Sequence, residues 1–220
     1  MANSLRVGLT MRVIDNQEYI EPRDALAQDW GEFMASVLPE ARWIPLPNLG
    51  ETINEFVLDW NINALILTGG NDIGRGGLRE LTERTLLNQA IQHHWPVLGI
   101  CRGMQFLHTY FKGSLHDCDR RQHRATRHNL HFNHPFDTDF DSESFQYTSV
   151  NSFHTKGILA SELTDVFQAF ALSEDGLVEG MLSLSGTLMG IMWHPEREQD
   201  LTAFDQDLLR TFFKKQKYNG

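Results

Sequence analysis

Two stretches of the chain carry side chains able to do covalent chemistry. The first is Gly99-Ile100-Cys101-Arg102-Gly103. A cysteine attacks as the thiolate, so its surroundings must favour that form. An apolar run behind Pro96 reads as a buried strand, and Met104, Leu107, His108 and Phe111 follow at helical spacing. Glycines on both sides of Cys101 permit the sharp strand-to-helix turn that would present a nucleophile. At a helix N-terminus, the dipole and free N–H groups favour thiolate. The same residues also fit a buried, inert cysteine between two packing glycines. The second stretch is the apolar run Leu188–Trp193, followed by His194-Pro195-Glu196. His194 has the chemistry of a base, and Pro195 turns the backbone so that Glu196 can orient the imidazole.

These groups need a frame that brings them together. Leu5–Thr10, Ala41–Leu46 and Ala64–Leu67 read as strands. Residues Arg23–Val37 read as an amphipathic helix with Leu26, Trp30, Phe33, Met34 and Val37 on one face. Glu51–Trp60 reads as a second helix, with Thr52 and Glu55 as a capping box. Leu78–His93 forms a third, after a flexible tip at Gly74–Gly77. This alternation predicts an α/β fold built on a doubly wound, mostly parallel sheet. Cys101 and His194 both fall at C-terminal strand ends, where such sheets form sites. Phe145–Val150 reads as a strand after a surface loop at Asp137–Ser144. Phe167–Ser173, Leu177–Leu184 and Thr187–Trp193 read as an antiparallel extension, and Leu201–Lys215 as a closing helix. One domain spanning 1–220 is the simplest organisation.

Composition narrows the function. A formal net charge of −10 lacks the basic footprint of a nucleic-acid binder. No run approaches a membrane span, and the N-terminus has no signal-peptide core. The two cysteines, Cys101 and Cys118, do not make a disulfide scaffold, which points to a reducing, cytoplasmic setting. Residues 116–134 stand out, with His116, His123, His128, His131 and His134 among Arg120, Arg121, Arg124 and Arg127. Three readings are open there: a metal site on the 128/131/134 spacing, a basic patch for an anion, or a solvated loop. The loop is favoured and no metal is assigned, because no helix frames the histidines.

Gly-Ile-Cys-Arg-Gly-Met-Gln at 99–105 with the downstream His-Pro-Glu resembles the class I glutamine amidotransferases, and within them the γ-glutamyl hydrolases of peptidase C26 type. The resemblance runs from the first strand to the last helix. It implies a three-layer amidotransferase fold and a Cys101–His194–Glu196 triad that cleaves a γ-glutamyl amide through a thioester. It implies an oxyanion hole formed by the N–H groups of Gly70, in Thr68-Gly69-Gly70-Asn71-Asp72, and Arg102. Taken alone, the two glycines read first as an ordinary turn. Gln105 corresponds to a residue that holds the glutamyl end. Val150-Asn151-Ser152-Phe153-His154 matches the segment lining the glutamyl pocket, so Asn151, Ser152, Phe153 and His154 are binding candidates. Lys156 stands where glutamine is usual, and His154 also fits a structural role. No cofactor and no metal are implied.

The resemblance leaves three functions to weigh. These are a free-standing γ-glutamyl hydrolase, the glutaminase subunit of a partner-dependent synthase, and a non-catalytic binding module. The Asn-Ser-x-His segment favours the first. Within it, the short length and the Thr-Gly-Gly-Asn-Asp-Ile stretch look more like hydrolases of γ-glutamyl-CDP-amidate, used in capsule phosphoramidate assembly, than of γ-glutamyl-aminobutyrate. Arg23, Lys156 and the Arg120–Arg127 cluster are then candidates to meet a diphosphate. The expected partner is this small γ-glutamyl substrate; a homo-oligomer is allowed.

Overall fold

The protein is described by a computed structural model covering residues 4–74, 77–132 and 148–215. The surface loop expected at 137–144, the start of the strand expected at 145–150, and part of the 74–77 tip lie outside these residues.

The chain opens with strand β1 (Arg6–Thr10) and a hairpin of β2 (Arg12–Asp15) and β3 (Pro22–Ala25). Helix α1 (Asp29–Val37), strand β4 (Arg42–Leu46), helix α2 (Ile53–Asp59), strand β5 (Ala64–Leu67) and helix α3 (Leu78–Gln92) follow. Strand β6 (Val97–Ile100) leads into α4 (Arg102–Tyr110). The next section holds β7 (His116–Asp117), the short α5 (Arg120–His123), β8 (Arg124–Phe132), β9 (Ser149–Phe153) and β10 (Lys156–Gly157). Strands β11 (Phe167–Ser173), β12 (Val178–Ser183) and β13 (Leu188–Ile191) and helix α6 (Ala203–Lys215) complete the described chain.

The main sheet has the order β4-β1-β5-β6-β13-β12-β11-β8-β9. Its first five strands are mutually parallel, and from β13 onward the neighbours are antiparallel. Strands β5, β6 and β13 are buried along their whole length, as apolar strands covered on both faces must be. Helix α1 packs on α6, and α2 on α3. Trp30, Phe33, Met34 and Val37 form the buried stripe of α1.

Several expectations need correction. The helix expected from Arg23 starts at Asp29, because Pro22–Ala25 pairs with β2. That segment has no apolar helical stripe, and the Asp24 carboxylate is held by the Asn48 backbone N–H at 2.8 Å. Thr52 makes no cap: its hydroxyl donates to Leu49 O at 2.9 Å, within a 3₁₀ turn that precedes α2. Strand β13 is an interior strand, parallel to β6 on one side and antiparallel to β12 on the other. Asn151–Phe153 lie within β9 instead of after it. The 116–134 segment is no loop in its described part, since β8 pairs with both β9 and β11.

Candidate active site

The turn between β6 and α4 places Cys101. Its backbone has φ +50° and ψ −102°, a strained conformation for a residue with a Cβ. Its N–H donates to Ile191 O at 2.8 Å, tying the turn to β13. The flanking glycines are there for want of space. A Cβ on Gly103 would lie 2.0 Å from Leu67 O, and one on Gly99 would lie 2.5 Å from the Gly103 carbonyl carbon. Both obstacles are backbone, so neither can move aside, and α4 can approach β5 and β6 this closely only with glycine.

The end of β13 delivers His194 to the same edge. Its Nδ1 lies 2.7 Å from Glu196 Oε1, with both residues buried. Nδ1 is thereby held by the carboxylate, and the ring's Cε1 lies against Gly69, where a Cβ would sit 2.8 Å from it. Burial alone pushes the Cys101 thiol up, but the charge and hydrogen bond of His194 outweigh it and hold the thiol below its ordinary value. Burial likewise lowers His194, and the Cys101 and Glu196 partners more than reverse this, raising it to about 9. Together they describe a thiolate–imidazolium pair steadied by a buried carboxylate.

Asn151 does more for His194 than its motif revealed. Its Nδ2 donates to His194 O at 2.8 Å, and its Oδ1 accepts from His194 N at 2.9 Å. The same Nδ2 donates to Glu198 Oε1 at 2.8 Å. The side chain therefore clamps the backbone of His194 from β9. The neighbouring candidates are also engaged within the protein. Ser152 Oγ donates to His123 O at 2.8 Å, and Gln105 Nε2 donates to Lys156 O at 2.9 Å. Phe153 is the exposed member, at 42 %, and stands edge-on to the His194 ring with centroids 5.7 Å apart. The Arg197 guanidinium lies over Phe153 at 4.8 Å. His154 is buried; burial lowers it, but Cys118 and Glu179 together raise it to about 10.

The Thr68–Gly70 loop is held by a residue that no sequence motif marked. Arg79, buried in α3, donates from Nη2 to Thr68 O at 2.7 Å and from Nη1 to Gly69 O at 3.2 Å and Gly70 O at 2.6 Å. Three successive carbonyls are thus turned toward one guanidinium, and Gly70 takes φ +82°. Glu83, one turn further along α3, accepts from Arg79 Nε at 2.9 Å, from Thr10 Oγ1 at 3.0 Å and from Arg102 Nη1. The fully buried carboxylate ties β1, α3 and α4 together at this edge. Burial lowers Arg79 to about 10 in spite of Glu83. Arg102 is also the first residue of α4, so its N–H belongs to the helix's unpaired first turn, beside the thiol. The i,i+4 Arg79/Glu83 spacing was visible, but on a helix it reads as an exposed pair; only burial distinguishes it.

Three of the cations expected to meet a diphosphate are engaged elsewhere. Arg23 contacts Glu21 and Tyr19 on the hairpin, Lys156 Nζ is 2.8 Å from Asp117, and Arg127 Nη1 is 2.7 Å from Glu198. Arg12, which the sequence did not single out, rests on Gly70; a Cβ there would meet its Nε at 3.1 Å. A cavity of about 660 Å³ opens beside it, lined by Asp24, Asn48, Asn71, Arg79 and Arg102 among others.

A parallel sheet with a cysteine on a left-handed turn at one strand end and a buried His–Glu pair at the next defines the glutamine amidotransferase class of α/β proteins. Two solved structures share this fold, both at low identity. A GMP synthase component from Thermoplasma acidophilum matches with a TM-score of 0.70 at 19 % identity, covering 97 % of this chain and 94 % of that one. A glutamine amidotransferase from Thermotoga maritima matches with a TM-score of 0.66 at 13 % identity, covering 99 % and 100 %. Within that class, the chain belongs to the peptidase C26 family, whose profile matches residues 76–196. The γ-glutamyl-CDP-amidate hydrolase of Campylobacter jejuni is 31 % identical over 201 residues, 89 % of this chain and 92 % of that protein. Relatives include a γ-glutamyl-γ-aminobutyrate hydrolase of Escherichia coli, 28 % identical over 61 % of this chain and 59 % of that protein, and the family and these relatives support a hydrolase. Among the described residues no helix is long and apolar enough to cross a membrane.

Proposed function

We propose that the chain hydrolyses a γ-glutamyl amide, with Cys101 as nucleophile, His194 as proton carrier and Glu196 as its orienting group. The observation that carries this reading is Cys101 at φ +50° beside a buried His194–Glu196 pair. In the first step the Cys101 sulfur attacks the γ-carbonyl carbon, and the carbonyl electrons move to oxygen. The N–H groups of Gly70 and Arg102 would receive that oxyanion; removing one such donor costs about 3 kcal/mol in comparable sites. Collapse breaks the C–N bond, and the proton on His194 leaves with the amine. Water, losing a proton to His194, then cleaves the thioester and releases glutamate and the free thiol. Phe153 forms the exposed wall next to His194 against which the glutamyl chain would lie.

The leaving group favoured is a CDP-amidate, on the 31 % identity to the Campylobacter jejuni hydrolase over most of both chains. In this reading Arg12 is the cation that would meet the diphosphate, in place of Arg23, Lys156 and the 120–127 arginines, at the edge of a cavity that also carries Asp15, Asp24, Asp72 and Glu80. The test is glutamate release by the purified protein from γ-glutamyl-CDP-amidate, γ-glutamyl-aminobutyrate, a γ-glutamyl oligomer and glutamine, beside Cys101→Ala. Release from one conjugate, falling by several orders of magnitude in Cys101→Ala, is expected. Release from glutamine alone, or only after a synthase partner is supplied, would replace this reading with that of a partner-dependent glutaminase. Activity retained in Cys101→Ala would end it.

A further inference from the structure

Close to this site lies a group of buried titratable side chains that the proposed reaction does not use. Glu179 on β12 is fully buried. Around it stand His123 at the end of α5, His128 on β8 and His154 just after β9. His128 Nε2 is 3.4 Å from Glu179 Oε2, His154 Nε2 is 3.4 Å from Oε1, and His123 Nδ1 is 3.8 Å from Oε1. These contacts are not hydrogen bonds: all three ring nitrogens and both carboxylate oxygens are buried without a hydrogen-bond partner among the described residues.

The outward nitrogens explain why. His123 Nε2 faces Asp175 Oδ2 at 2.9 Å, His154 Nδ1 faces Lys156 O at 3.0 Å, and His128 Nδ1 faces Gln122 O at 3.4 Å. These carboxylate and carbonyl partners can only accept, so the outward nitrogens of His123 and His128 carry the hydrogen, as does His154 Nδ1 toward Lys156 O, with the Cys118 sulfur a longer second contact at 3.7 Å. In the neutral rings the inward nitrogens are then bare, and lone pairs converge on a carboxylate. Such a cluster calls for positive charge between the rings and the carboxylate, carried by protons on the rings or by a metal ion. A carboxylate or carbonyl holding the far nitrogen of each imidazole is the arrangement that orients histidines toward a metal.

We propose that His123, His128 and Glu179 bind one divalent ion of the zinc class, with His154 beside it against the shared carboxylate. The three ligand atoms all lie within 4.8 Å of one another. Zinc bonds of 2.0–2.1 Å set tetrahedral ligand atoms about 3.3–3.4 Å apart; His128 and His123 lie 3.4 and 3.8 Å from different oxygens of Glu179, so the three ligand atoms must draw together around one of them when the ion binds. A polar cavity of about 490 Å³, lined by His123, His128, Asp175 and Arg127 among others, opens onto two of the three ligands and supplies an entry path. The ion would tie β12 to β8 and α5, and so brace β9, which carries the clamp on His194. This is not the site suggested by the 128/131/134 spacing. On a strand, positions 128 and 131 point to opposite faces, and His131 is exposed.

The rival occupant is a proton, with the imidazoles charged against Glu179. The full chain, stripped with chelator and desalted, should bind one equivalent of zinc by elemental analysis. At a 100-fold excess over Kd, zinc should raise Tm by about 5–10 °C. Cobalt(II) chloride should give the visible absorption of a tetrahedral site. His128→Ala should lose the equivalent and the Tm shift while keeping the wild-type circular dichroism, and His131→Ala should keep both. Substoichiometric zinc, no cobalt spectrum or an unmoved Tm in the wild-type chain would overturn the proposal, whatever the variants do. Equal zinc retention by His128→Ala would overturn it as well, as adventitious histidine binding. None of these readings requires a substrate, so failure here is separable from failure of the proposed hydrolysis.

Discussion

Replacing Asn151 with alanine tests whether that side chain serves His194 or the substrate. The substitution removes both hydrogen bonds to the His194 backbone and the one to Glu198. His194 is 1 % exposed, so its freed N–H finds no water without a shift of the chain, while its C=O keeps the Arg197 N–H at 3.1 Å. The unpaired buried N–H costs about 1–3 kcal/mol before relaxation. At about 2–4 °C per kcal/mol for a chain of this size, even the lower figure lowers Tm by about 2 °C or more. The alternative to that loss is movement of the β13 end, which carries the imidazole with it. A displacement of about 1 Å at a reacting group costs on the order of 100-fold in rate. Because His194 acts in the transition state, kcat and kcat/KM for glutamate release should fall together, with KM near its wild-type value. A second readout needs no substrate: iodoacetamide labelling of the Cys101 peptide, followed by mass spectrometry against pH, should move toward the profile of an ordinary thiol. An unchanged kcat with a tenfold or greater rise in KM would refute the clamp and return Asn151 to the glutamyl pocket. An unchanged labelling profile would refute it independently.

Two further outcomes follow from the same edge of the sheet. With Cys101 held below the ordinary thiol value of 9.0 and His194 raised to about 9, the ion pair exists between these limits. The thiolate is lost as pH falls through the depressed Cys101 value, and the imidazolium as pH rises through about 9. Cys101 labelling at pH 7 should therefore outpace that of a simple thiol, and kcat/KM should decline above about pH 9; a labelling profile centred on 9.0 would contradict the pairing. Glu83→Gln keeps shape but leaves two buried guanidinium groups without their shared carboxylate. Breaking a buried pair costs about 3–5 kcal/mol, so Tm should drop by about 6–20 °C. A drop under about 2 °C by calorimetry would show that the network is not holding the loop.

How far the sequence reached depends on how local each feature is. The apolar runs at 64–67, 97–100 and 188–191 were long and uniform enough to announce buried strands. Glycines 99 and 103 marked the turn because close backbone approach excludes every other residue. The failures share one cause. Pro22–Ala25 carries no pattern of its own and became a strand only because β2 offered a partner. The 124–132 stretch, dense in histidine and arginine, reads as a solvated loop; it is largely exposed, but as a strand paired between β9 and β11.

The amino-acid sequence by itself determined the α/β alternation, the turn at Cys101 and the pairing of a cysteine with a His-Pro-Glu segment, because each is written in neighbouring residues. The tertiary structure alone decided which polar groups are buried. It set Arg79 and Glu83 behind the Thr68–Gly70 loop, turned Asn151 onto His194, and gathered three histidines around Glu179. A charged side chain has the same letter in water and in a core; only the packing of distant strands and helices removes the water and makes its partners matter.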